Sequence, residues 1–294
     1  MSQNDEQAFF VDNELIERLM RGDTPATKPK TLRPAETSAL GNAVKLAAAG
    51  RLDDAVKELE AAASRGEKPA EVYSGLGHLR FEQQKWGEAA ACYSKVIAAE
   101  ANNATAHYNL ALALERQGQF DQAGRSFETA LSLNPGLWQA HTGRGLCLLH
   151  LGQPDQAVPH FDQALKSSPG QDRTLFGKAV ALHQLGKFDE AAEIYRKLLP
   201  SNASSAELLV NLINLSMARK DDAKTKEYSD RMLKIRPQSR QALEGLTTVA
   251  LSRGDFSGAV QHCSNLVKVA SDSYEAWFNL GLAYQKTGRT DQAG

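Results

Sequence analysis

Residues 104–137 read ATAHYNLALALERQGQFDQAGRSFETALSLNPGL, and this stretch decides the fold. Apolar residues recur every three or four positions on both sides of Gly118. This spacing predicts two helices, each with one apolar face, joined by a short glycine turn. The same 34-residue pattern runs on without insertion or deletion, in repeats that begin at residues 36, 70, 104, 138, 172, 206, 240 and 274. The sequence therefore predicts an all-α array of seven full helical hairpins and a partial eighth.

We number the positions of a repeat from 1 to 34 and call its first helix A and its second helix B. The last repeat carries Trp277, Leu280, Gly281 and Tyr284 at positions 4, 7, 8 and 11. With these residues the chain resembles the tetratricopeptide repeat (TPR) family over about residues 36–294. The resemblance implies stacked antiparallel helix pairs that form a right-handed superhelix, with each helix A lining a concave groove. Because TPR proteins are mostly adaptors, it also implies a protein-interaction scaffold that is not an enzyme.

Residues outside the repeats form a separate region of the sequence. Residues 1–21 predict an amphipathic helix, with apolar side chains on one side and charged side chains on the other. Residues 22–35 are rich in proline and predict an extended linker, so the array itself is expected to occupy residues 36–294. We expect the N-terminal helix to dock in an apolar groove, either that of its own chain or that of a neighbouring copy, which would produce autoinhibition or self-association.

Charge and composition exclude several classes of partner. The 294 residues include 34 basic and 35 acidic side chains, which give a net charge of −1. This balance opposes binding to nucleic acid or to an anionic membrane surface. The three cysteines, Cys92, Cys147 and Cys263, cannot form a disulfide framework, and the N-terminus has neither a signal peptide nor a membrane span. We therefore expect a cytoplasmic protein, and the sequence contains no motif for a catalytic site, a metal or a cofactor.

The histidines predict structural roles more than metal ligation. His107 and His141 are 34 residues apart because they fill position 4 of consecutive repeats, where they replace an aromatic side chain. Metal sites need clustered partners, so we expect these two residues to lie in the core or at a packing interface. His150 and His183 occupy positions that face the groove in the family, where their pKa values could place titration near neutral pH.

In the family, positions 2, 5, 6, 9, 12 and 13 of helix A face the concave groove. The resemblance therefore implies a peptide-binding surface with an apolar central strip and polar margins. Its candidate residues are Phe81, Tyr108, Asn109, Leu112, Arg116, Leu146, Leu149, Arg173, Phe176, Val180, Asn211, Asn214, Met217, Phe278 and Asn279. Such a groove suits an amphipathic helix or an extended peptide with apolar anchors. The alternative is that these apolar residues pack only against neighbouring helices A.

Asparagine occurs at position 6 in three repeats, as Asn109, Asn211 and Asn279. An amide side chain can pair with the backbone of an extended peptide of any sequence. The pattern is similar to a broken form of the asparagine ladder in O-linked N-acetylglucosamine transferases, and the alternative is that asparagine is simply common at this position. The cations of the family's chaperone-binding carboxylate clamp are absent around Asn109 and Asn211, which disfavours chaperone tails as ligands.

The repeat at 206–239 departs most from the pattern. It has Ile213 at position 8, Lys220 in place of the turn glycine, Thr225 at position 20 and Ser229 at position 24. We expect its hairpin to pack less tightly and to act as a hinge, with ordinary drift of the repeat as the alternative interpretation.

A second function hypothesis is that the chain is the substrate-recognition arm of a larger enzyme, similar to a protein glycosyltransferase or sulfotransferase, whose catalytic domain is missing from this sequence. The last repeat breaks off at Gly294, within its expected helix B, so we expect a fragment of a longer protein. RNA binding by helical repeats is a third possibility, which the neutral charge opposes.

Overall fold

The computed structural model describes residues 38–200, 205–289 and 291, and the regular secondary structure of these residues is α-helical. The helices are α1 (Ala39–Ala48), α2 (Leu52–Ser64), α3 (Pro69–Glu82), α4 (Trp86–Ala99), α5 (Ala104–Arg116), α6 (Phe120–Leu133), α7 (Trp138–His150), α8 (Pro154–Ser167), α9 (Asp172–Gln184), α10 (Phe188–Leu198), α11 (Ala206–Ala218), α12 (Asp222–Ile235), α13 (Arg240–Ser252), α14 (Phe256–Val269) and α15 (Tyr274–Lys286). The predicted all-helical repeat fold is confirmed. The helix predicted at 1–21 and the linker at 22–35 lie outside the described residues.

The helices divide into two compact units, with the boundary between Leu185 and Gly186. The N-terminal unit contains α1–α9, and the C-terminal unit contains α10–α15. Within each unit, consecutive helices pack against each other in chain order. Odd-numbered helices are the helices A of the repeats and even-numbered helices are the helices B, so the odd-numbered helices carry the candidate binding residues.

The turn between helix A and helix B needs a residue in the left-handed backbone region at position 15. Gly118 adopts this conformation with a φ angle of 73°. Gln84 and Lys220 occupy the same position without glycine and still adopt φ angles of 60° and 55°. A side chain with a Cβ atom is less stable in this region than glycine. The repeat at 206–239 therefore keeps the turn geometry despite the loss of its glycine.

The loop between repeats is fastened by a ring N–H group at position 4. His107 Nε2 donates to the carbonyl of Ala101 at 3.0 Å, and Trp277 Nε1 donates to the carbonyl of Ser271 at 2.9 Å. His141 forms the equivalent bond with the backbone of Pro135. All three acceptors occupy position 32 of the preceding repeat. A histidine can replace tryptophan here because both side chains offer an aromatic ring and an N–H donor.

In the repeats that begin at 70 and 138, the core of the hairpin depends on a match between a large ring on helix B and a small residue on helix A. A Cβ atom on Gly145 would lie 2.7 Å from the Phe161 ring, and one on Gly77 would lie 2.6 Å from the Tyr93 ring. Position 24 supplies the ring and position 8 supplies the space for it. Because both rings are buried, neither can move aside for a larger neighbour.

The departures in the repeat at 206–239 compensate for one another in volume. Ile213 is large where most other repeats have glycine or alanine, and Ser229 is small where the four preceding repeats have the rings of Tyr93, Phe127, Phe161 and Tyr195. A Cβ atom on Gly245 would lie 2.7 Å from Ser229 Oγ, 3.1 Å from Thr225 Cγ2 and 3.2 Å from Ile213 Cγ2. The three side chains thus meet at one point of the core, and Thr225 Oγ1 donates to Ser216 Oγ at 2.9 Å. This packing favours drift of the repeat over a hinge.

We predict that Gly143→Ala destabilises the protein by about 1–3 kcal/mol, because the new methyl group would overlap the ring of Phe127, which is fully buried. Gly87→Ala is the matched control, since its Cβ atom would meet only the Gln117 side chain at 3.8 Å. The control should be neutral or stabilising by up to about 1 kcal/mol. Urea unfolding measures both variants, and equal effects would contradict the size match.

We predict that Ile213→Gly and Ser229→Phe are each destabilising but partly rescue each other. The first leaves a cavity and the second overpacks the point where Thr225 and Gly245 meet, at a cost of about 2–5 and about 1–3 kcal/mol respectively. The double variant should lose at least about 1 kcal/mol less than the two single losses together. A double-mutant cycle in urea measures this coupling, and additive losses would show that the two positions are independent.

Candidate functional site

The apolar candidates of the N-terminal unit are almost completely buried. None of their side chains exceeds 6 % exposure, and the set comprises Phe81, Tyr108, Leu112, Leu146, Leu149, Phe176 and Val180. Buried side chains of this kind are committed to packing between helices and offer little contact area to a ligand. In this unit the structure therefore corrects the expectation of an open apolar strip, and it favours the alternative of packing against neighbouring helices.

Close approach of adjacent helices A explains this burial. The hydroxyl groups of Thr142 on α7 and Thr174 on α9 share a hydrogen bond of 2.8 Å in the interior. On α9, a Cβ atom at Gly177 would lie 3.3 Å from Leu146 Cδ2 of α7. Small residues and short hydroxyl side chains at these points let the two backbones approach, so the floor of the expected groove is closed.

Polar candidates line the margin of the same unit. The Arg116 guanidinium lies 5.9 Å from the ring centres of both Phe81 and Trp86, and those two rings meet edge to face at 4.7 Å. His150 stacks on Phe120 with ring centres 4.0 Å apart and an angle of 5° between the planes. These contacts hold Arg116 and His150 at fixed places on the margin.

Arg173 is placed beside a buried carboxylate that the sequence pattern did not single out. Arg173 Nη2 lies 3.7 Å from Glu115 Oε1, which joins α9 to α5, and neither Glu115 oxygen accepts a hydrogen bond from the described residues. Burial raises the pKa of the Glu115 carboxyl and lowers the pKa of the Arg173 guanidinium. A buried ion pair of this kind gains little net stability, because both groups lose their hydration. The signal in the sequence was a charged residue at position 12, where the flanking repeats have Phe81 and Leu149.

The asparagine candidates divide into two buried residues and one at the surface. Asn109 and Asn211 are 5 % and 4 % exposed, and Asn211 Nδ2 donates to the carbonyl of Glu207 at 3.2 Å within its own helix. Asn279 is half-buried on α15. Asn109 and Asn211 therefore lie within the packing between helices, where a peptide backbone could reach them only if neighbouring side chains moved.

The C-terminal unit presents a more open surface at the same positions. Asn214 and Met217, at positions 9 and 12 of α11, are half-buried, and so are Leu251 at position 12 of α13 and Leu282 at position 9 of α15. Val210 precedes Asn214 by one helical turn and extends the stripe along α11, although the sequence analysis did not name it. Helix α13 packs against both α11 and α15, so these side chains follow three neighbouring helices A.

Phe278 lies at the outer side of α15 and is more than half exposed, with its ring stacked on Tyr274 at 6.1 Å between centres.

Among the described residues no group of three or more histidine, cysteine, aspartate or glutamate side chains is arranged to hold a metal ion. The three cysteines are free thiols.

Comparison with known proteins identifies the family. Models described as "Tetratricopeptide repeat" match residues 108–172, 236–294 and 148–215, and one described as "TPR repeat" matches residues 77–118. The chain belongs to the tetratricopeptide repeat family. TPR proteins are generally scaffolds without catalytic activity. A search of the curated proteins finds no match for this TPR chain.

Several solved TPR structures share the fold. YrrB, described as a TPR protein with an unusual peptide-binding site, is 22 % identical, with a TM-score of 0.55 over 62 % of this chain and 94 % of YrrB. The C-terminal part of a TPR protein from Cytophaga hutchinsonii is 12 % identical, with a TM-score of 0.66 over 82 % and 99 % of the two chains. PilW, a type IV pilus biogenesis factor, is 18 % identical, with a TM-score of 0.58 over 71 % and 97 %. At these identities the likeness shows the fold alone.

Within its described residues, this TPR chain has no helix with both the length and the apolar character that a membrane crossing requires.

Two partly buried histidines of the N-terminal unit have shifted pKa values. Burial lowers the pKa of His150 and of His160 to about 4. His160 Nδ1 also lies 3.2 Å from His141 Nδ1, so one of the two neutral rings donates to the other. Protonation of both rings would remove the acceptor of this bond.

We predict that the TPR array loses stability in acid, and that His150→Phe reduces the loss. Because the folded pKa of His150 is below its ordinary value of 6.5, the unfolded chain binds the proton first as the pH falls. The stability that the neutral ring contributes is present above about pH 6.5 and is lost as the pH approaches 4. Phenylalanine keeps the stacking on Phe120 without a titrating group.

Urea unfolding at pH 7 and at pH 4.5 measures this effect. After allowance for solvent screening of a partly exposed ring, the variant should lose on the order of 1–2 kcal/mol less than the natural chain over this interval. His107→Phe is the matched control, because His107 is a partly exposed ring at a different packing site. Equal losses for His150→Phe and the natural chain would contradict the assignment of acid sensitivity to His150.

Proposed function

We propose that this TPR chain is a non-catalytic scaffold that binds a peptide or an amphipathic helix on the helix A face of its C-terminal unit. One comparison carries the proposal. At position 12 the N-terminal unit has the buried residues Phe81 and Leu149, whereas the C-terminal unit has Met217 and Leu251, which are only half-buried. Contact area for a ligand is therefore available on α11, α13 and α15.

The side chains of this surface suit a ligand that carries a stripe of apolar residues. Val210, Asn214 and Met217 follow one another at intervals of four and three residues, so they lie along one side of α11. Methionine adapts its shape to different apolar partners, and the amide of Asn214 can both donate to and accept from a ligand backbone. An amphipathic helix with apolar residues at the same spacing would bury this stripe.

We infer further that the protein resides in a reducing compartment such as the cytoplasm. The free thiols of Cys92, Cys147 and Cys263 support this inference, because disulfides are typical of secreted proteins. A peptide-binding role is also in keeping with YrrB, whose described peptide-binding site belongs to a protein of the same fold.

A displayed library of random peptides can be selected for binding to the immobilised 294-residue chain. We predict that the selected peptides contact Met217 and Leu251. Fluorescence anisotropy with the selected peptides should show at least 10-fold weaker binding to Met217→Gln/Leu251→Gln, since one lost apolar anchor typically costs about 1–2 kcal/mol. Ile235→Gln/Val269→Gln is the matched control, because these apolar residues are exposed at the ends of the helices B α12 and α14. The control should bind within about two-fold of the natural chain.

The same library is selected in parallel against a variant without residues 1–35, because the N-terminal segment could itself compete with peptides for the surface. Circular dichroism confirms that each variant is folded. The proposal fails if no peptide is enriched, or if Met217→Gln/Leu251→Gln and the control variant weaken peptide binding equally.

A further inference from the structure

The repeat at 138–171 places two histidine side chains against each other between its two helices. His141 lies at position 4 of α7 and His160 at position 23 of α8, and their Nδ1 atoms are 3.2 Å apart. Both side chains are half-buried, so solvent reaches them. The repeats that begin at 104 and 240 have a histidine at only one of these two positions, namely His107 and His262. The pair is therefore a feature of this one repeat and not of the repeat pattern.

The hydrogen bonds of the pair determine which nitrogen of His141 carries a lone pair. The His141 ring donates to the backbone carbonyl of Pro135, since proline has no backbone N–H group. Because Nδ1 of His141 faces His160, the donor to Pro135 is Nε2, and Nδ1 keeps its lone pair. Metal-binding histidines are held in the same way, by a carbonyl or carboxylate that accepts from the ring nitrogen not bound to the metal.

The separation of the two Nδ1 atoms matches that of two ligands on one metal ion. Zinc binds imidazole nitrogen at about 2.0–2.1 Å, and at a tetrahedral angle two such nitrogens lie about 3.3–3.4 Å apart. The distance between His141 Nδ1 and His160 Nδ1 is 3.2 Å. The ring centres are 5.4 Å apart, so the two rings lie nearly end to end. Each ring must tilt about its soft χ2 torsion for both lone pairs to reach one ion.

The charges around the pair permit a cation to bind. Burial lowers the pKa of both His141 and His160, so both rings are neutral ligands at pH 7. The Arg144 guanidinium lies near His160 and opposes a second cation. Its Nη2 atom, however, lies 2.6 Å from Glu128 Oε1, and this carboxylate offsets the charge of the guanidinium.

We propose that His141 and His160 bind a divalent transition-metal ion through their Nδ1 atoms, with water at the remaining coordination positions. Imidazole nitrogen suits Zn²⁺, Cu²⁺ and Ni²⁺, whereas Mg²⁺ and Ca²⁺ prefer oxygen ligands. The ion replaces the proton between the rings, which moves from Nδ1 to Nε2 of His160, so both rings stay neutral. Two protein ligands are half the number in a structural zinc site, and we expect a dissociation constant on the order of 10 μM. The bound ion joins α7 to α8 within one hairpin.

Isothermal titration calorimetry of the 294-residue chain with Zn²⁺ at pH 7.5 tests the proposal without any peptide, so its outcome is separate from that of the proposed function. We expect a site that His160→Ser weakens at least 10-fold and that does not bind Mg²⁺. His141→Trp should weaken zinc binding equally. Tryptophan keeps an N–H donor for the Pro135 carbonyl, as Trp277 does for the Ser271 carbonyl, but it has no nitrogen lone pair for a metal.

His107→Phe and His262→Gln are the matched controls, because they remove the single histidine at position 4 or position 23 of another repeat. Cys92→Ser is a third control, since a half-buried thiol is another zinc ligand. All three should bind zinc within about two-fold of the natural chain, and circular dichroism confirms that each variant is folded. The proposal is overturned if zinc does not bind below about 1 mM, if binding persists in His141→Trp or His160→Ser, or if a control variant loses it equally.

Discussion

The packing of a position 24 ring against a glycine of helix A is the contact on which the central repeats depend, as Tyr93, Phe127 and Phe161 show. Phe161 lies between Gly145 of its own repeat and Gly177 of the next, so one side chain joins the helices of a hairpin and also joins two repeats. Each repeat has too small an apolar face to be stable alone, and the interface with its neighbour supplies the remaining burial. The spacing of 34 residues is kept because an insertion within either helix would move the ring away from both glycines.

This contact also bears on how much helix A surface each of the two units exposes to a ligand. In the N-terminal unit the rings of Phe127 and Phe161 lie where Gly143 and Gly177 have no Cβ atom, so adjacent helices A come close and the residues between them are buried. Ser229 is the equivalent residue of the repeat at 206–239, and its side chain is much smaller. The apolar residues and Asn214 at positions 9 and 12 of the C-terminal unit are only half-buried, and the support for ligand binding comes from there.

The sequence pattern was sufficient for the helices and the spacing of the repeats, but not for the exposure of the candidate site. A repeat position specifies which side of a helix a residue occupies, whereas exposure also depends on the distance to the next helix. The sequence does contain one signal for close packing between neighbouring helices A. Position 6 is asparagine after Tyr93 and Tyr195 at position 24, and it is glycine after Phe127 and Phe161. A glycine after phenylalanine marks a ring that fills the Cβ space at that position, whereas the residues around Asn109 are buried without such a glycine.

The N-terminal unit buries side chains that titrate, whereas the polar contact beneath α11 in the C-terminal unit is between hydroxyl groups. The N-terminal unit buries Glu115, His183 and most of Arg173, and the charged form of each side chain costs free energy to remove from water. In the C-terminal unit the buried polar contact between Thr225 and Ser216 is made by hydroxyl groups, which do not titrate in the physiological range. A change of pH therefore alters the interior of the N-terminal unit more than the core beneath α11. The proposed ligand surface lies on that second core, and its side chains Val210, Asn214, Met217, Leu251 and Leu282 carry no titrating group. Binding there should consequently depend on apolar contact and backbone hydrogen bonds, and only weakly on pH.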